Sequence, residues 1–319
     1  MMRAAILEGP ETVRIENATL PVPGPGEVRI RLEGCGVCAS NVEPWQGQAW
    51  SRFPGDPGGL GHEGWGEIDV VGAGVEGLSP GDRVASLSFR SFADYDVARA
   101  DMVVRLPDAL SGEPFPGEPL GCAFNIFRRS DIGPGQTVAI IGIGFLGAVL
   151  TRLASDAGAR VIAISRRQES LDLARRYGAA ETIPMQDHHA IIDAVKALTG
   201  EGMCDRVIEA VGKQWPLDLA GELIGFGGRL VVAGYHQDGP RQVNLQNWNW
   251  KGIDVINAHE RDPAVQMQGL RAAVDAVAGG RLDPAPLYTH RYTLEQLGEA
   301  LAATRDKPGH FVKALVMLR

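Results

Sequence analysis

The segment Thr137-Val-Ala-Ile-Ile-Gly-Ile-Gly-Phe-Leu-Gly147 indicates the fold of the chain. Its apolar first half is typical of a parallel strand covered on both faces of a sheet, and a helical stretch over 145–157 follows it. The first glycine of the turn permits a tight bend, the second lets the backbone approach a pyrophosphate, and the third lets the helix pack closely on the sheet. The helix N-terminus adds N–H donors for phosphate. We therefore expect a dinucleotide to contact Gly142, Gly144, Phe145, Leu146 and Gly147.

Strands and helices alternate from this turn to residue 262. Further strands are predicted over 160–165, 205–211, 228–234 and 252–257, with helical stretches between them. Such alternation is typical of a doubly wound parallel sheet in an α/β fold. We therefore predict a Rossmann-type nucleotide-binding domain over 126–262. Its last strand is expected to be an edge that can pair with a second subunit.

The second predicted strand ends in Ser165-Arg166-Arg167. A site for NAD normally carries an Asp or Glu at this point, which holds the 2′-hydroxyl of the ribose. Here no carboxylate would repel a 2′-phosphate, and two guanidinium groups are available to bind it. The three residues therefore predict a preference for NADP(H) over NAD(H).

The regions that flank the nucleotide-binding domain have a different pattern. Residues 1–125 contain short runs with a period of two, such as 27–32 and 66–71, separated by turns rich in Gly and Pro. This pattern predicts half-buried antiparallel strands. After residue 262 we expect a long helix to about residue 278, an amphipathic helix over 292–301 and a strand over 310–317.

Composition and charge exclude several classes of protein. Of the 319 residues 45% are hydrophobic and 22% are charged, which is typical of a globular chain with a sizeable core. The net charge of −8 argues against binding to nucleic acid, which requires a basic surface. The longest apolar run, 138–150, is shorter than the roughly 20 residues of a membrane span. With only 4 cysteines, a disulfide framework is not expected, and we predict a cytoplasmic protein without membrane contact.

Three sequence motifs before the glycine turn contain candidate metal ligands. They are Gly34-Cys-Gly-Val-Cys-Ala-Ser-Asn41, Gly61-His-Glu-Gly-Trp-Gly-Glu67 and Glu118-Pro-Leu-Gly-Cys122. Further motifs lie between and after these three, along nearly the whole chain: Val71-Gly-Ala-Gly-Val75, Pro80-Gly-Asp-Arg-Val84, the glycine turn and Val207-Ile-Glu-Ala-Val-Gly212. In this order they resemble the zinc-dependent medium-chain dehydrogenase/reductase family, in particular its alcohol and polyol dehydrogenases.

The resemblance implies a catalytic zinc ion. Cys38, His62 and Cys122 match the family's ligands, and two thiolates with one imidazole are a known catalytic set that leaves a position for water or substrate. Glu63 matches an acidic neighbour of the metal that can act as an alternative ligand. Ser40 matches the hydroxyl that passes on a proton from the alcohol. Zinc would lower the pKa of the alcohol, which then releases hydride to the nicotinamide.

The chain departs from the family in three places. Asn41 stands where the family often has an Asp that is a hydrogen-bond partner of the zinc histidine, so we expect lower zinc affinity or a less basic ligand. Glu43-Pro44 replaces a stretch that holds a proton-relay histidine in some members. The four-cysteine lobe that binds a structural zinc is missing between residues 84 and 92. We therefore expect at most one zinc ion per chain.

The resemblance also implies two domains. A β-rich GroES-like catalytic domain would consist of residues 1–125 and 263–319, with the Rossmann domain inserted between them. The nicotinamide would contact residues that end the strands of the Rossmann domain: Ala210, Val211, Ala233, Gly234, Tyr235, Asn257, Ala258 and His259. Candidates for lining the substrate pocket are Trp45, Phe89, Phe92, Phe124 and Asn125.

The resulting hypothesis is a zinc-dependent oxidoreductase that transfers hydride between an alcohol, preferably polyol or sugar-like, and NADP. We expect it to be a homodimer or homotetramer. One alternative is a zinc-free reductase of quinones or enones on the same fold, which would lack the metal ligands. Another is a non-catalytic NADP-binding protein that kept the fold. Metal analysis tests the first alternative, and turnover of alcohols or carbonyl compounds tests the second.

Overall fold

The structure is a computed structural model that describes all 319 residues. The chain forms two compact units. Unit 1 contains Met1–Gly121 and Asp262–Arg319, and unit 2 contains Cys122–Arg261. None of the helices has the length and apolar character needed to cross a membrane.

The elements of both units are numbered along the chain. The strands are β1 (Met2–Gly9), β2 (Thr12–Ala18), β3 (Glu27–Val37), β4 (Gly64–Val71), β5 (Arg83–Ser86), β6 (Tyr95–Arg99), β7 (Val103–Arg105), β8 (Thr137–Ile141), β9 (Arg160–Ser165), β10 (Glu181–Pro184), β11 (Cys204–Glu209), β12 (Ile224–Val232), β13 (Asp254–Asn257), β14 (His290–Thr293) and β15 (Ala314–Met317). The α-helices are α1 (Val42–Gln46), α2 (Gly117–Ser130), α3 (Phe145–Asp156), α4 (Gln168–Arg176), α5 (His188–Thr199), α6 (Gln214–Leu223), α7 (Leu245–Lys251), α8 (Pro263–Ala278) and α9 (Leu297–Asp306).

Unit 2 is built around a parallel sheet of six strands in the order β10-β9-β8-β11-β12-β13. The central strand β8 is buried from Val138 to Ile141, as expected for a strand with helices on both faces. The doubly wound sheet predicted from the sequence is thereby confirmed. The order of the strands reverses between β8 and β11, and ligands of such sheets bind outside the carboxyl ends of the strands at this switch point. The glycine turn follows β8 and lies at this position.

The glycine turn needs the absence of a side chain at two of its three positions. Gly142 has a φ of +98°, and a Cβ there would lie 2.4 Å from Cγ2 of Val211. At Gly147, on the first turn of α3, a Cβ would lie 2.0 Å from the carbonyl oxygen of Gly142. Gly144 differs, because no atom lies within 4 Å of the place that a Cβ would take. The second glycine therefore leaves open space in front of the helix N-terminus.

Unit 1 is rich in antiparallel strands. β1 and β2 form a hairpin, and seven strands form a sheet in the order β14-β15-β3-β4-β5-β7, with β6 paired to β3. β3 alternates between half-buried and buried residues from Glu27 to Gly34, so one of its faces packs on the core of the unit. β15 pairs antiparallel with β3, with Ala314 opposite Val37. The C-terminal segment therefore completes a sheet that begins in the N-terminal part of the chain.

The structure differs from the sequence prediction in this C-terminal segment. The helix predicted over 292–301 begins only at Leu297, because His290–Thr293 pairs in parallel with β15 as strand β14. Thr293 then forms a capping box with Gln296, which places a short 3-10 turn before α9. The strand predicted over 310–317 begins only at Ala314, since His310 has a positive φ of 61° that is incompatible with a strand. In both places tertiary pairing and local backbone conformation override the hydrophobic pattern.

Replacing Gly147 with alanine is expected to lower the free energy of unfolding by about 1–3 kcal/mol, because the added methyl group overlaps the carbonyl oxygen of Gly142. Gly144→Ala is the matched control, since its methyl group meets no atom and a change within about 0.5 kcal/mol is expected. Urea unfolding followed by circular dichroism measures both variants. Equal losses of stability would contradict the packing role assigned to Gly147.

Candidate metal centre and nucleotide site

The predicted ligands Cys38, His62 and Glu63 meet in unit 1. Each side chain offers a ligand atom, and these atoms all lie within 4.8 Å of one another. Cys38 directly follows β3, and the other two residues directly precede β4. Because β3 and β4 are antiparallel neighbours, with Cys35 opposite Gly64, the end of one strand and the start of the next bring the three side chains together. A thiol, an imidazole and a carboxylate are donors that zinc accepts.

The backbone carbonyl of Leu60 orients the ring of His62. Nδ1 of His62 lies 2.8 Å from this oxygen, and since a carbonyl only accepts, Nδ1 carries the hydrogen. Nε2 of the neutral ring then keeps its lone pair for a metal. Asn41 donates from Nδ2 to the same carbonyl at 2.9 Å and accepts from the backbone N–H of Cys38 at 2.9 Å. Asn41 therefore acts on the histidine through Leu60 and is not its direct hydrogen-bond partner.

The electrostatic environment of His62 favours a cation. Burial lowers the pKa of His62, but the hydrogen bond and charge of Cys38, with the charges of Glu118 and Glu63, outweigh burial and raise this pKa to about 10. A proton and a metal ion compete for the same imidazole nitrogen. The negative charges that hold a proton on His62 would also stabilise a bound zinc ion, so the residues present fit the metal that the sequence predicts.

A buried ion pair adjoins the group of three. Glu63 is fully buried, and Nζ of Lys313, directly before β15, donates to its Oε1 at 2.6 Å. Nζ is equally close to Oε2, at 2.6 Å, but Oε2 accepts no hydrogen bond of normal geometry. Burial lowers the pKa of Lys313, yet the charges of Glu63 and Cys38 outweigh burial and raise it. Lys313 therefore stays charged and balances the carboxylate.

Sequence reasoning missed Lys313 and the glycine that makes room for its partner. A Cβ on Gly36 would lie 1.8 Å from Oε2 of Glu63, so a larger residue on this part of β3 would displace the carboxylate. One signal was available for Lys313, which stands within the apolar stretch Phe311-Val-Lys-Ala-Leu-Val316. A lysine in such a stretch is almost never buried without a charged partner.

Two further predicted catalytic residues lie outside the group of three. Cys122 is half-buried on α2 and is the first residue of unit 2. It is not a member of the group formed by Cys38, His62 and Glu63. Ser40 is half-buried on the short 3-10 helix that directly follows Cys38. The roles of Cys122 and Ser40 therefore stay predictions.

Two arginines follow Ser165, the last residue of β9, next to the glycine turn on the neighbouring strand β8. Arg166 is exposed, whereas Arg167 is half-buried. Nη1 of Arg167 is buried and has no hydrogen-bond partner. Burial lowers the pKa of this guanidinium group. A buried donor without an acceptor is unfavourable, and an anionic ligand would satisfy it.

The other predicted cofactor residues follow the next strands at the same edge of the sheet. Ala210 and Val211 follow β11, Ala233, Gly234 and Tyr235 follow β12, and Asn257, Ala258 and His259 end or follow β13. The ring centroids of Tyr235 and His259 are 5.7 Å apart, so the ends of β12 and β13 meet. The turn after β11 in turn touches the glycine turn through Val211 and Gly142. These residues form one continuous edge with the phosphate turn.

The predicted substrate residues do not share one environment. Trp45 and Phe92 are only 3% and 1% exposed and belong to the core of unit 1. Their predicted place in the substrate pocket stays a prediction. Phe89 is 73% exposed on the connection between β5 and β6. Phe124 and Asn125 lie on α2, half-buried and buried respectively, and stay predictions together with Phe89.

Comparisons with known proteins decide the family. Residues 24–108 match the alcohol dehydrogenase GroES-like domain, and residues 146–276 match the zinc-binding dehydrogenase family. An alcohol dehydrogenase of Geobacillus stearothermophilus is 32% identical over 267 residues, which cover 73% of this chain and 77% of that relative. The chain belongs to the zinc-type medium-chain alcohol dehydrogenase family. The predicted family, fold class and class of enzyme, an oxidoreductase of alcohols or polyols, are thereby confirmed.

Two further matches extend over almost the whole length of this dehydrogenase. A sorbitol dehydrogenase of Gallus gallus is 29% identical over 347 residues, covering 96% of this chain and 94% of the relative. A protein of Sinorhizobium meliloti 1021, classed as a zinc-binding dehydrogenase and solved with NADP, has a TM-score of 0.86 and 26% identity. That match covers 100% of this chain and 99% of the solved one.

Replacing Lys313 with methionine is expected to lower the free energy of unfolding of the dehydrogenase by about 3–5 kcal/mol, because the carboxylate of Glu63 then stays buried without its cation. The double variant Lys313→Met/Glu63→Gln removes both charges and is expected to recover most of this loss. Thermal unfolding of chelator-treated protein measures both effects without interference from metal. Equal losses in the single and double variants would contradict the ion pair.

Proposed function

We propose that this protein is a zinc-dependent dehydrogenase that transfers hydride between a polyol or sugar-like alcohol and NADP. One observation carries the proposal. The side chains of Cys38, His62 and Glu63, which are of types that ligate zinc, lie together in a chain of the zinc-type family. Cys122 is the further ligand in this proposal. Unit 1 is the catalytic domain and unit 2 is the nucleotide-binding domain.

The residues of the proposed centre have different roles in the reaction. When bound, zinc supplies a Lewis acid that lowers the pKa of an alcohol and so favours release of hydride to nicotinamide. Cys38, His62 and Cys122 would hold the ion, with Glu63 available as an alternative ligand. The hydroxyl group of Ser40 can accept a hydrogen bond and donate one at the same time. Ser40 is therefore suited to take the proton of the substrate hydroxyl and pass it on.

The preference for NADP rests on Arg166 and Arg167. A 2′-phosphate carries negative charge and several acceptor oxygens, and the unpartnered Nη1 of Arg167 is a buried donor without another acceptor. Ser165 adds a small hydroxyl group at the end of β9 in place of a carboxylate. A ribose 2′-hydroxyl alone would leave the charge of both arginines without an anion.

A polyol or sugar-like substrate is supported by the relatives. The Gallus gallus protein that matches nearly the whole chain is named sorbitol dehydrogenase. The chain offers polar side chains at Asn125, His259 and Glu260, which suit a substrate with several hydroxyl groups better than an apolar alcohol. A panel of sugar alcohols, short polyols and simple alcohols, followed by the absorbance of NADPH, identifies the class.

Replacing Cys38 with alanine is expected to remove stoichiometric zinc and to lower kcat/KM for the best polyol at least about 1000-fold, because the metal loses a ligand. Binding of NADPH is expected to stay unchanged, since its predicted contacts lie in unit 2. Cys204→Ala, at a buried cysteine in unit 2, is the matched control and should keep zinc and activity. Plasma emission spectrometry and steady-state kinetics measure the two properties.

The results for the unaltered protein decide between the alternatives. Turnover of quinones or enones by a protein without zinc would favour a zinc-free reductase. Binding of NADPH without turnover of any alcohol or carbonyl compound would favour a non-catalytic protein. Full activity of the Cys38→Ala variant would contradict the zinc mechanism itself.

The double variant Arg166→Gln/Arg167→Gln is expected to lower kcat/KM for NADPH by about 10- to 100-fold, because charge-assisted hydrogen bonds to the 2′-phosphate are lost. The kcat/KM for NADH is expected to change less than about threefold, since NADH has no 2′-phosphate. Arg175→Gln is the control, because Arg175 pairs with Asp172 on the exposed side of α4. A clear preference of the unaltered enzyme for NADH would overturn the assignment.

We further propose that the protein associates with a second copy through the edge strand β13. Asp254 and Val255 of this strand are exposed, and the neighbouring helix α7 exposes 77% of Trp250 and 67% of Leu245. An unpaired strand edge beside apolar side chains favours pairing with an identical edge about a twofold axis.

Light scattering after size-exclusion chromatography is expected to give at least twice the mass of one chain. Val255→Lys places a charge on the edge and is expected to shift the mass to that of the monomer. Val22→Lys, at a valine that is 82% exposed in unit 1, is the control and should leave the mass unchanged. A monomer at all concentrations would contradict this interface.

A further inference from the structure

Glu209 is a fully buried carboxylate in unit 2 that the proposed chemistry does not use. It is the last residue of β11. Its Oε1 accepts the backbone N–H groups of Val211 and Gly212 at 2.7 and 2.8 Å. Its backbone carbonyl accepts those of Ala233 and Gly234, both at 2.8 Å. One residue therefore holds the backbone of two turns, the turn after β11 and the turn after β12.

His236 and Arg241 complete the hydrogen bonding of this carboxylate. Nε2 of His236 lies 2.9 Å from Oε2 of Glu209, and Nε of Arg241 donates to Nδ1 of His236 at 2.8 Å. Because a guanidinium group only donates, Nδ1 accepts, and the neutral ring carries its hydrogen on Nε2. Arg241 also donates to the carbonyl oxygen of Gly212 at 2.9 Å. The loop after β12 is thereby tied back to the turn after β11.

Further contacts fix the outer side of this network. Asp238 pairs with Arg241 and, at 2.7 Å, with Nζ of Lys213. Hydrogen bonds from Lys213 and Arg241 lower the pKa of Asp238 to about 2, so the carboxylate stays charged. Gln214 exchanges two hydrogen bonds with the backbone of Gln242, at 2.8 and 3.0 Å. The loop is thus held at both of its ends.

The turns that the network holds touch the glycine turn. A Cβ on Gly142 would lie 2.4 Å from the side chain of Val211, and a Cβ on Gly234 would lie 2.2 Å from the backbone nitrogen of Gly212. The turns after β8, β11 and β12 are therefore packed backbone to backbone. A displacement of the loop that carries His236 would move the surface formed by all three turns, because close-packed structure transmits strain.

The order of the strands indicates which part of a cofactor meets these turns. The pyrophosphate is expected at the glycine turn after β8, and the adenosine end at the arginines after β9. A dinucleotide lies across the switch point of a doubly wound sheet. Its nicotinamide half therefore extends to the opposite side, over the ends of β11 and β12.

We propose that His236 and Arg241 are positioning residues for the nicotinamide half of the cofactor, acting through Glu209. This inference rests on the proposed binding of NADP. The two side chains set the backbone on which the nicotinamide half lies. Loss of either side chain loosens the turns after β11 and β12 and leaves the binding of the adenosine half unchanged.

The test compares the whole cofactor with its adenosine half. His236→Phe keeps a ring and removes both of its hydrogen bonds, and Arg241→Met removes the donors to His236 and Gly212. Isothermal titration calorimetry is expected to show a rise of about tenfold or more in the Kd for NADPH in each variant, as the loss of hydrogen bonds at charged groups predicts. The Kd for adenosine 2′,5′-bisphosphate is expected to change less than about twofold.

Two variants act as controls. His236→Gln can still donate to Glu209 and is expected to bind NADPH more tightly than His236→Phe. His188→Phe, at a histidine on α5 that contacts Trp215, should leave both affinities unchanged. If His236→Phe does not fold, His236→Gln and Arg241→Met decide the question.

Three results would overturn the inference. Equal weakening of both ligands would indicate a general loss of structure in unit 2. Unchanged binding of both ligands would show that the network has no effect on the nicotinamide half. Failure of the unaltered protein to bind NADPH would overturn the proposed function, and this inference with it.

Discussion

The buried contact between Glu63 and Lys313 is the interaction on which the candidate metal centre depends. It joins residues that are 250 positions apart in the chain. An uncompensated carboxylate in this place would be strongly destabilising, since an isolated buried charge costs several kcal/mol. The lysine reaches the carboxylate because β15 pairs with β3 in the same sheet. The C-terminal segment therefore completes the environment of the candidate metal ligands as well as the sheet.

Each unit contains a buried carboxylate, and the two carboxylates have different partners. In unit 1 the ammonium group of Lys313 lies 2.6 Å from both carboxylate oxygens of Glu63 and balances its charge. In unit 2 backbone N–H groups and a neutral histidine satisfy Glu209. The first carboxylate is balanced by a charge next to the candidate metal ligands, whereas the second accepts hydrogen bonds from two backbone N–H groups and a histidine. The difference in hydrogen bonding thus separates a candidate binding group from a positioning group.

Much of the fold and of the candidate metal centre could be predicted from the sequence, because short sequence motifs indicate both. The glycine turn after an apolar strand predicted the parallel sheet, and the family resemblance implied Cys38, His62 and Glu63, which the structure brings together. Lys313 could not be paired with Glu63, since no local pattern connects two residues so far apart in the chain. The role of Leu60 was missed for another reason. A backbone carbonyl leaves no signature in the sequence. The carbonyl of Leu60 nevertheless orients His62 and accepts a hydrogen bond from Asn41.

Other parts of the structure are not decided by residue type. Trp45 and Phe92 are candidates for lining the substrate pocket, and in this structure they belong to the core of unit 1. Large aromatic side chains serve packing and binding equally well, so residue type alone does not distinguish the two uses. The prediction of a helix that begins at Tyr292 was wrong, because the first residues of this stretch pair with β15 as a strand.

The central proposal is that Cys38, His62 and Cys122 are ligands of a zinc ion and that Glu63 is available as an alternative ligand. X-ray absorption spectroscopy at the zinc edge of the zinc-loaded protein tests this claim most directly. The zinc-loaded protein is expected to show two sulfur neighbours at about 2.3 Å with nitrogen or oxygen neighbours at about 2.0–2.2 Å, and the Cys122→Ser variant one sulfur neighbour. A spectrum with nitrogen and oxygen neighbours alone, or one that is unchanged in that variant, would contradict this set of zinc ligands.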